Sequence, residues 1–184
     1  MCAEQRLTTP LTTAAIEQLN AGDLVELSGI IYTARDAAHE RFATALAAQQ
    51  ALPLDFKNQI IFYAGPSPAR PGRIIGSIAP TTSIRMDRYL EMTYQLGIAG
   101  TIGKGERSAH AAELCKSYRR VFFLSYGGIA ALIARTINAC EIVAYNDLGT
   151  ESVKRLIANK LKLVVGIDAR GTVFNTAEIQ KYRR

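Results

Sequence analysis

The sequence has 184 residues, which is the usual size of one domain and enough to bury a hydrophobic core. Hydrophobic residues make up 48% of the chain and charged residues 21%, a composition that excludes intrinsic disorder. The net charge of +6 predicts attraction to anions, which could be nucleic acid, an acidic partner chain or small carboxylates.

The first half of the chain predicts short strands and helices separated by turns. Thr12 or Thr13 can cap a short helix that ends near Leu19, and Gly22-Asp23 then turns the chain into an apolar strand. Thr33-Ala34-Arg35-Asp36 has the form of a capping box, with Asp in place of the usual Glu or Gln, and predicts a helix that starts at Thr33. The patterns predict strands at 24–32 and 60–63, a loop at 65–72, extended structure at 73–79, and helices at 33–50 and 81–96.

The second half of the chain predicts an alternation of strands and helices. The expected strands are 98–102, 120–125, 141–145 and 161–167, and the expected helices are 108–118, 128–138 and 150–159. An Asp168-Ala169-Arg170-Gly171 turn precedes a predicted terminal helix at 176–182. Residues 1–184 therefore predict a single α/β domain of two or three layers around a mixed sheet.

The chain encodes neither a membrane span nor a metal site of its own. Its longest apolar runs, 121–124 and 129–134, fall far short of the ~20 residues that cross a bilayer. The first residues lack the apolar region of a secretory signal, so we expect a cytoplasmic protein. Cys2, Cys115 and Cys140 are odd in number and widely spaced, which predicts neither a disulfide framework nor a CxxC metal site.

Three segments place polar side chains where a predicted strand meets a helix or loop, and α/β proteins commonly build ligand sites at such junctions. The segments are 33–39, 80–87 and 103–108. In the second of them, a helix beginning at Thr81 would put Thr81 and Arg85 on one face, where both can act on one anionic ligand. The alternative is that Thr81 or Thr82 is only an N-cap and Arg85 only a surface cation.

The segment 33–39 contains a cation in an unfavourable place. Arg35 falls in the first turn of its predicted helix, where a positive charge opposes the helix dipole. A ligand or an acidic partner would relieve this repulsion, or Asp36 could simply screen Arg35 at the surface. Asp36 and His39 lie three residues apart, which does not make a metal site, and His39 can equally be hydrogen-bonded within the fold.

Lys104 lies between two glycines but does not belong to a P-loop. Ile98 stands where that pattern requires its first glycine, and Gly105 stands where it requires the Ser or Thr that holds magnesium. Nucleotide binding through this loop is therefore excluded. The flanking glycines let the backbone approach a ligand and leave the Lys104 ammonium as a point charge for a carboxylate. Gly127-Gly128 is either a second backbone anion site or a simple turn.

Four segments, in this order, closely resemble the C-terminal domain of class I fumarases and the β subunits of two-chain fumarases and tartrate dehydratases. They are SGIIYTARDAAH at 28–39, YAGP at 63–66, PTTSIRMD at 80–87 and GKGERS at 103–108. Each motif alone is weak, but four in order are specific, and the match extends over nearly the whole chain. The resemblance implies a swivelling β/β/α-type domain.

The resemblance also implies a function. The chain would be the β subunit of a two-chain [4Fe–4S] hydro-lyase that acts only with its cluster-bearing α subunit, and three cysteines of that partner would hold the cluster. The amino-acid sequence of 32–39 resembles that of fumarases more closely than that of tartrate dehydratases, so hydration of fumarate to malate is the expected reaction. The alternatives are a tartrate dehydratase β subunit and a non-catalytic basic module that binds nucleic acid or protein. Against nucleic acid, the basic residues do not alternate regularly with aromatic residues.

The family's functional residues can be carried over one at a time. Residues that match Arg35, Arg85 and Lys104 bind the substrate carboxylates in the family, and the threonine that matches Thr81 is the proposed catalytic base. Asp36, His39 and Thr82 lie in the same motifs, and we expect them to have supporting roles. We expect no metal ligand and no membrane contact from this chain, and its homo-oligomerisation is left open.

Overall fold

A computed structural model of the chain describes residues 4–174 and Tyr182. In this part of the chain the elements are, in order, β1 (Glu4–Thr8), α1 (Thr13–Glu17), β2 (Leu24–Thr33), α2 (Asp36–Ala47), β3 (Ile60–Phe62), a 3-10 turn (Ile84–Tyr89), α3 (Leu90–Gln95), β4 (Gly100–Gly103), α4 (Ala109–Tyr118), β5 (Val121–Leu124), α5 (Ala130–Arg135), β6 (Ile137–Ala144), a second 3-10 turn (Asn146–Glu151) and β7 (Val153–Ile167). None of the helices described here combines the length and the apolarity needed to cross a membrane. The predicted terminal helix at 176–182 lies outside the described residues, apart from Tyr182.

The sheet is mixed and closes on itself. Strands β2, β3, β4 and β5 run parallel to one another, and β7 runs antiparallel to both β2 and β5. These five strands therefore form a closed ring of hydrogen-bonded neighbours. Strand β1 pairs with the first half of β2, and β6 pairs with the first half of β7. The predicted α/β fold with a mixed sheet is confirmed.

Two apolar cores lie on opposite faces of the ring strands, because successive residues of a strand point to opposite sides. Ile60 and Phe62 of β3 belong to the first core, which gathers side chains from all five ring strands and from α1 and α5. Ile61 of the same strand belongs to the second core, which is covered by α2, α3 and α4. The sheet thus holds the starts of α2 and α4 close to the strand ends from which they emerge.

Several predicted elements are confirmed because their signals are local. The Thr12 hydroxyl accepts the Ala15 N–H at 3.2 Å and caps α1, and the Ser108 hydroxyl accepts the Ala111 N–H at 3.2 Å and caps α4. Strands β2 to β5 lie within about two residues of their predicted positions. The predicted turn at 168–171 closes with a 3.0 Å hydrogen bond from Gly171 N to Asp168 O.

The predicted capping box at Thr33 is wrong, because α2 begins at Asp36. Thr33 is instead the last residue of β2 and is fully buried. Its hydroxyl donates to the Ser152 carbonyl at 3.4 Å and accepts the Lys154 N–H at 3.1 Å. The hydroxyl therefore joins β2 to the start of β7. It binds the backbone of Ser152 and Lys154, which are distant in sequence, and not the N–H groups at the start of α2.

The helix predicted from Thr81 starts at Ile84, first as a 3-10 turn and then as α3. Thr81 donates its N–H to the Tyr63 carbonyl at 2.7 Å, and Thr82 forms a parallel bridge with Lys104. Both threonines are thus part of the sheet edge, and neither caps a helix. The expectation that Thr81 and Arg85 share a helix face is wrong for this reason.

The helix predicted at 150–159 is also wrong. Most of this stretch is the start of β7, which pairs with β2 on one side and with β6 on the other. The predicted helix at 128–138 is shorter, because Ile137 already starts β6. The segment 73–79 forms no named strand, and β1 had no sequence signal that we recognised.

Candidate functional site

The carboxyl ends of the parallel strands β2 to β5 meet at one edge of the sheet, as in other open or closed parallel sheets. We call this region the C-terminal edge. It is formed by Arg35 after β2, 63–65 after β3, 104–105 after β4 and 125–128 after β5. Strand order brings the segments 33–39 and 103–108 to this edge, and the Thr81–Tyr63 hydrogen bond and the Thr82–Lys104 bridge add the segment 80–87.

Arg35 lies directly after β2 and packs against Gly65. A methyl group on Gly65 would lie 3.0 Å from Arg35 Nη1 and 2.9 Å from the Thr150 carbonyl. Arg35 Nη2 lies 3.3 Å from Glu151 Oε1, and Glu151 Oε2 accepts the Ala37 N–H at 3.1 Å. Glu151 thus pairs with Arg35 and also binds the first turn of α2, which relieves the repulsion between the cation and the helix dipole.

Arg85 lies on the Ile84–Tyr89 turn and reaches across to the start of α2. Its Nη2 is 3.0 Å from Asp36 Oδ2, and the side chain remains 44% exposed. Asp36 therefore pairs with Arg85. The alternative that Asp36 screens Arg35 is wrong, because the acidic partner of Arg35 is Glu151. The ion pair places the two arginine-bearing segments side by side.

Lys104 is held against the 81–83 segment through its backbone. Its N–H donates to the Thr81 carbonyl at 3.3 Å, and its own carbonyl accepts the Ser83 N–H at 3.0 Å. Because Thr81 also donates its N–H to Tyr63, this threonine lies between the end of β3 and Lys104. Thr82 is exposed beside Lys104.

His39 lies beneath the C-terminal edge and is fully buried. Its Nδ1 is 2.9 Å from the Arg35 carbonyl, and since a carbonyl only accepts, Nδ1 carries the proton. Its ring packs against Phe42, Tyr63 and Tyr89. Burial lowers the pKa of His39 from 6.5 to about 4, so the ring is neutral near pH 7. His39 therefore supports the backbone of Arg35 from below and is not exposed at the surface of the C-terminal edge.

Sequence reasoning missed the acidic residues that support the cations. Glu151 is one of them. It accepts the N–H of Ala37, which lies 114 residues earlier in the sequence, so no local pattern connects it to Arg35. The second is Asp87, which pairs with Arg107 and accepts the Ser108 N–H at 2.8 Å. Asp87 and Arg107 both lie within the family-like motifs, which was the only signal available for them.

The described residues offer no ligand set for a metal or an iron–sulfur cluster. They contain no group of three or more His, Cys, Asp or Glu side chains that could hold a metal ion. Cys115 is buried with its sulfur 3.3 Å from the Tyr94 hydroxyl, and burial raises its pKa to about 11. Cys140 lies on β6 and is partly buried. Clusters require several thiolates together, and these two residues do not fit that requirement.

The sequence was also compared with known protein families. The sequence model of the family described as Fumarase C-terminus matches residues 3–177. The chain belongs to the Fumarase C-terminus family. This match over residues 3–177 confirms the family assignment made from the motifs.

Individual relatives of the Fumarase C-terminus family fall into two groups by length. A Methanocaldococcus jannaschii protein with the provisional name L(+)-tartrate dehydratase subunit beta is 35% identical over 88% of this chain and 86% of its own length. L(+)-tartrate dehydratase subunit beta of Shigella boydii is 29% identical over 90% and 83%. The aerobic class I fumarate hydratase of Escherichia coli K12 is 31% identical over 88% of this chain, which spans 30% of that enzyme.

Proposed function

We propose that this chain is the β subunit of a two-chain hydro-lyase and that it supplies substrate-binding cations to an active site shared with a partner subunit. The observation that carries the proposal is the meeting of Arg35, Arg85 and Lys104 at one edge of the sheet. The names of the relatives, which are tartrate dehydratase subunits and fumarate hydratases, support the class of reaction. We also propose that residues 1–184 act as one such domain.

The three cations suit a dicarboxylate. Fumarate and malate are dianions, and each charge-assisted hydrogen bond to a carboxylate contributes about 1.5–3 kcal/mol. Glu151 and Asp36 neutralise two of the three charges and leave the set positive. Each guanidinium has five N–H donors, so Arg35 and Arg85 can keep these partners while they bind a substrate carboxylate. Fixing both ends of the substrate also supplies part of the orientational advantage of catalysis.

Thr81 is our candidate for the base that removes the proton from substrate carbon. A threonine hydroxyl is a poor base unless its alkoxide is stabilised, and Lys104 and Arg85 are the nearby positive groups that would do this. Thr81 lies two residues before Ser83, the N-cap of the Ile84–Tyr89 turn, so it is outside the helical turn itself. A residue of the partner could share the proton transfer.

We propose that the [4Fe–4S] cluster belongs to the partner α subunit. In the sequence, the spacing of the three cysteines matches no CxxC ligand pattern, and in the described part of the chain Cys115 and Cys140 pack in different cores. Class I fumarate hydratases are among the relatives of this chain. Asp36, His39 and Thr82 would support the cations and the base: Asp36 through Arg85, His39 through the Arg35 backbone, and Thr82 through Lys104.

Fumarate hydratase is our first choice of reaction, because the 32–39 segment is closer to fumarases. Tartrate dehydratase is the second candidate. The observation that favours it is length, since this chain spans 86% and 83% of the lengths of two relatives that carry that name. Contacts that distinguish the two substrates would lie partly on the partner subunit.

Anaerobic co-purification of the full chain with its native partner, followed by assays on malate, fumarate and tartrate, tests the proposal. We expect turnover by the pair, and neither turnover nor iron–sulfur absorbance from the chain alone. Turnover by the isolated chain would refute the shared site, and a pair inactive on all three acids would refute the hydro-lyase assignment. Salt-sensitive binding to nucleic acid would then favour the basic binding module.

Arg85→Ala tests the site within the active pair. We expect kcat/KM to fall by about two orders of magnitude or more, because substrate orientation is lost, while the chain stays folded. Arg88→Ala is the matched control, since Arg88 is exposed on the same turn and stacks on Tyr89. Equal kinetics for the two variants would remove Arg85 from the site.

A further inference from the structure

A buried ion pair lies behind the exposed cations of the C-terminal edge. The side chain of Arg107 is 1% exposed and that of Asp87 is 11% exposed. Arg107 donates from Nε to Asp87 Oδ1, and Asp87 Oδ2 accepts the Ser108 N–H at 2.8 Å. Moving two charges out of water costs free energy, and the attraction between the charges does not always offset this cost. Stabilisation of the fold is therefore not a sufficient reason for a buried ion pair at this position.

The ion pair connects the two segments that carry Arg85 and Lys104. Asp87 lies two residues after Arg85 on the Ile84–Tyr89 turn, and Arg107 lies three residues after Lys104 in the loop between β4 and α4. The Nε and Ser108 N–H contacts therefore fasten the end of the Lys104 loop to the Arg85 turn. No other side-chain ion pair among the described residues links these two segments.

Backbone contacts fasten the same segments at their other ends. The Lys104 carbonyl accepts the Ser83 N–H, and a methyl group on Gly103 would lie 1.8 Å from Ser83 Oγ. Only glycine allows Ser83 to approach β4 this closely. Between these contacts and the ion pair, Gly105 has a φ of +77° and is exposed, so this part of the loop depends on its two ends for its position.

Arg107 is held by aromatic rings as well as by Asp87. Its guanidinium carbon lies 4.7 Å from the centre of the Phe122 ring and 5.6 Å from that of Tyr63. Phe122 belongs to β5, and Tyr63 follows β3. The ion pair is therefore anchored to two strands of the ring, which makes it a rigid support for the loops above it.

We propose that Asp87 and Arg107 are positioning residues, whose buried ion pair fixes the spacing of Arg85 and Lys104 so that both cations bind one dicarboxylate. This inference rests on the proposed function. The pair touches no substrate and acts through the Ile84–Tyr89 turn and the Lys104 loop. Its loss should weaken substrate binding more than it weakens the fold.

Asp87→Asn and Arg107→Met remove the ion pair, and Asp87→Glu and Arg107→Lys are milder variants in case the first two fail to fold. The control is Arg119→Met, because Arg119 forms an exposed ion pair with Glu17 away from the C-terminal edge. In the full chain, we expect hydrogen exchange of the Lys104 and Ser108 amides to rise about 10-fold or more in the Asp87 and Arg107 variants and to stay unchanged in the control.

In the enzyme formed with the partner, we expect the same variants to raise KM for the preferred diacid about 10-fold, with a smaller change in kcat. We expect Arg107→Lys to retain more affinity than Arg107→Met. Unchanged exchange and unchanged KM, with only a lower melting temperature, would overturn the inference and leave a structural role. An inactive wild-type pair would refute the proposed function instead, while the exchange measurement still decides whether the ion pair fixes the two segments.

Discussion

His39 illustrates how one residue of a family-like motif can lie beneath the candidate site and not at its surface. Its imidazole lies among three aromatic rings, and its one hydrogen bond among the described residues goes to the Arg35 carbonyl. Nε2 is buried without a partner in that part of the chain. Protonation of this ring in the folded state is therefore costly, which is why its pKa falls to about 4.

His39 should make stability depend on pH. Above pH 6.5 neither the folded nor the unfolded histidine is charged; between 6.5 and about 4 only the unfolded one binds a proton, so stability falls as pH falls. The full loss is about 3 kcal/mol. Urea unfolding of wild type and His39→Gln across this range measures it, and the stability advantage of wild type should shrink with falling pH. Parallel pH profiles would contradict this assignment.

Gly65 is the residue that leaves room for Arg35. In Gly65→Ala, the new methyl group would collide with Arg35 Nη1 and the Thr150 carbonyl. We expect a loss of about 1–3 kcal/mol in unfolding free energy and a higher KM in the active pair, because Arg35 must move. Gly127→Ala is the control for stability, since nothing lies within 4 Å of the methyl group it adds. A KM and an unfolding free energy of Gly65→Ala equal to those of wild type would contradict the close packing of Arg35.

At the scale of elements, β7 connects most of the molecule. It runs from Val153 to Ile167, pairs with β2 along one side, and pairs with β6 and then β5 along the other. Its buried Lys154 donates from Nζ to the Gly149 carbonyl at 2.9 Å, so a polar side chain inside the strand is satisfied by the turn before it. Strand pairing therefore decides the conformation of a segment whose sequence resembles a helix.

Asp168 fastens the end of β7 to the start of β2. Its buried carboxylate accepts N–H groups of Arg170 at 2.9 Å, Thr172 at 3.1 Å and Ala21 at 3.2 Å. Burial opposes ionisation, but these hydrogen bonds and the Arg170 side chain lower the pKa of Asp168 overall.

Asp168→Asn should therefore destabilise the chain by about 3 kcal/mol near pH 7, because the amide cannot accept all of these bonds. The difference from wild type should shrink as pH falls below 3.8, because the unfolded wild-type chain then binds a proton that the folded carboxylate, with its lowered pKa, does not yet bind. Asp23→Asn is the control, because the hydrogen bonds of the Asp23 carboxylate among the described residues are exposed ones to Asn20. Chemical denaturation near pH 7 and again below pH 3.8 measures the unfolding free energies. Equal stabilities of Asp168→Asn and Asp23→Asn near pH 7 would contradict the role of Asp168.

At the scale of the whole molecule, the closed ring joins both apolar cores. Every ring strand contributes to the first core, and α2, α3 and α4 pack on the other face of the same strands. Ile60 and Phe62 lie in the first core and Ile61 of the same strand lies in the second, so a strand that leaves the ring disturbs both cores. We therefore expect the two cores to unfold together.

Leu27→Ala tests this cooperativity. Leu27 is fully buried in the first core, and its truncation should cost about 2–5 kcal/mol. Circular dichroism in the far and near ultraviolet should show coincident transitions for both wild type and variant. Two separated transitions would mean that the cores are independent and that the chain is not one unit.

The sequence by itself determined the class of fold and the family, and it selected the segments of the candidate site. Thr12 and Ser108 could be recognised as helix caps because a cap acts on N–H groups three residues away. The strands β3 to β5 could be predicted because each is a short apolar run bounded by turn residues. The motifs around Arg35, Arg85 and Lys104 lie on the chain in an order that is itself specific.

Only the tertiary structure decided how those segments are held. It pairs Arg35 with Glu151 and Arg85 with Asp36, and it turns Thr33 and Thr81 from expected cap residues into parts of the sheet edge. The physical reason is the separation along the sequence of the residues that interact. Periodicity and capping report interactions within a turn or two of the chain, whereas these contacts join residues that strand order brings together from distant positions.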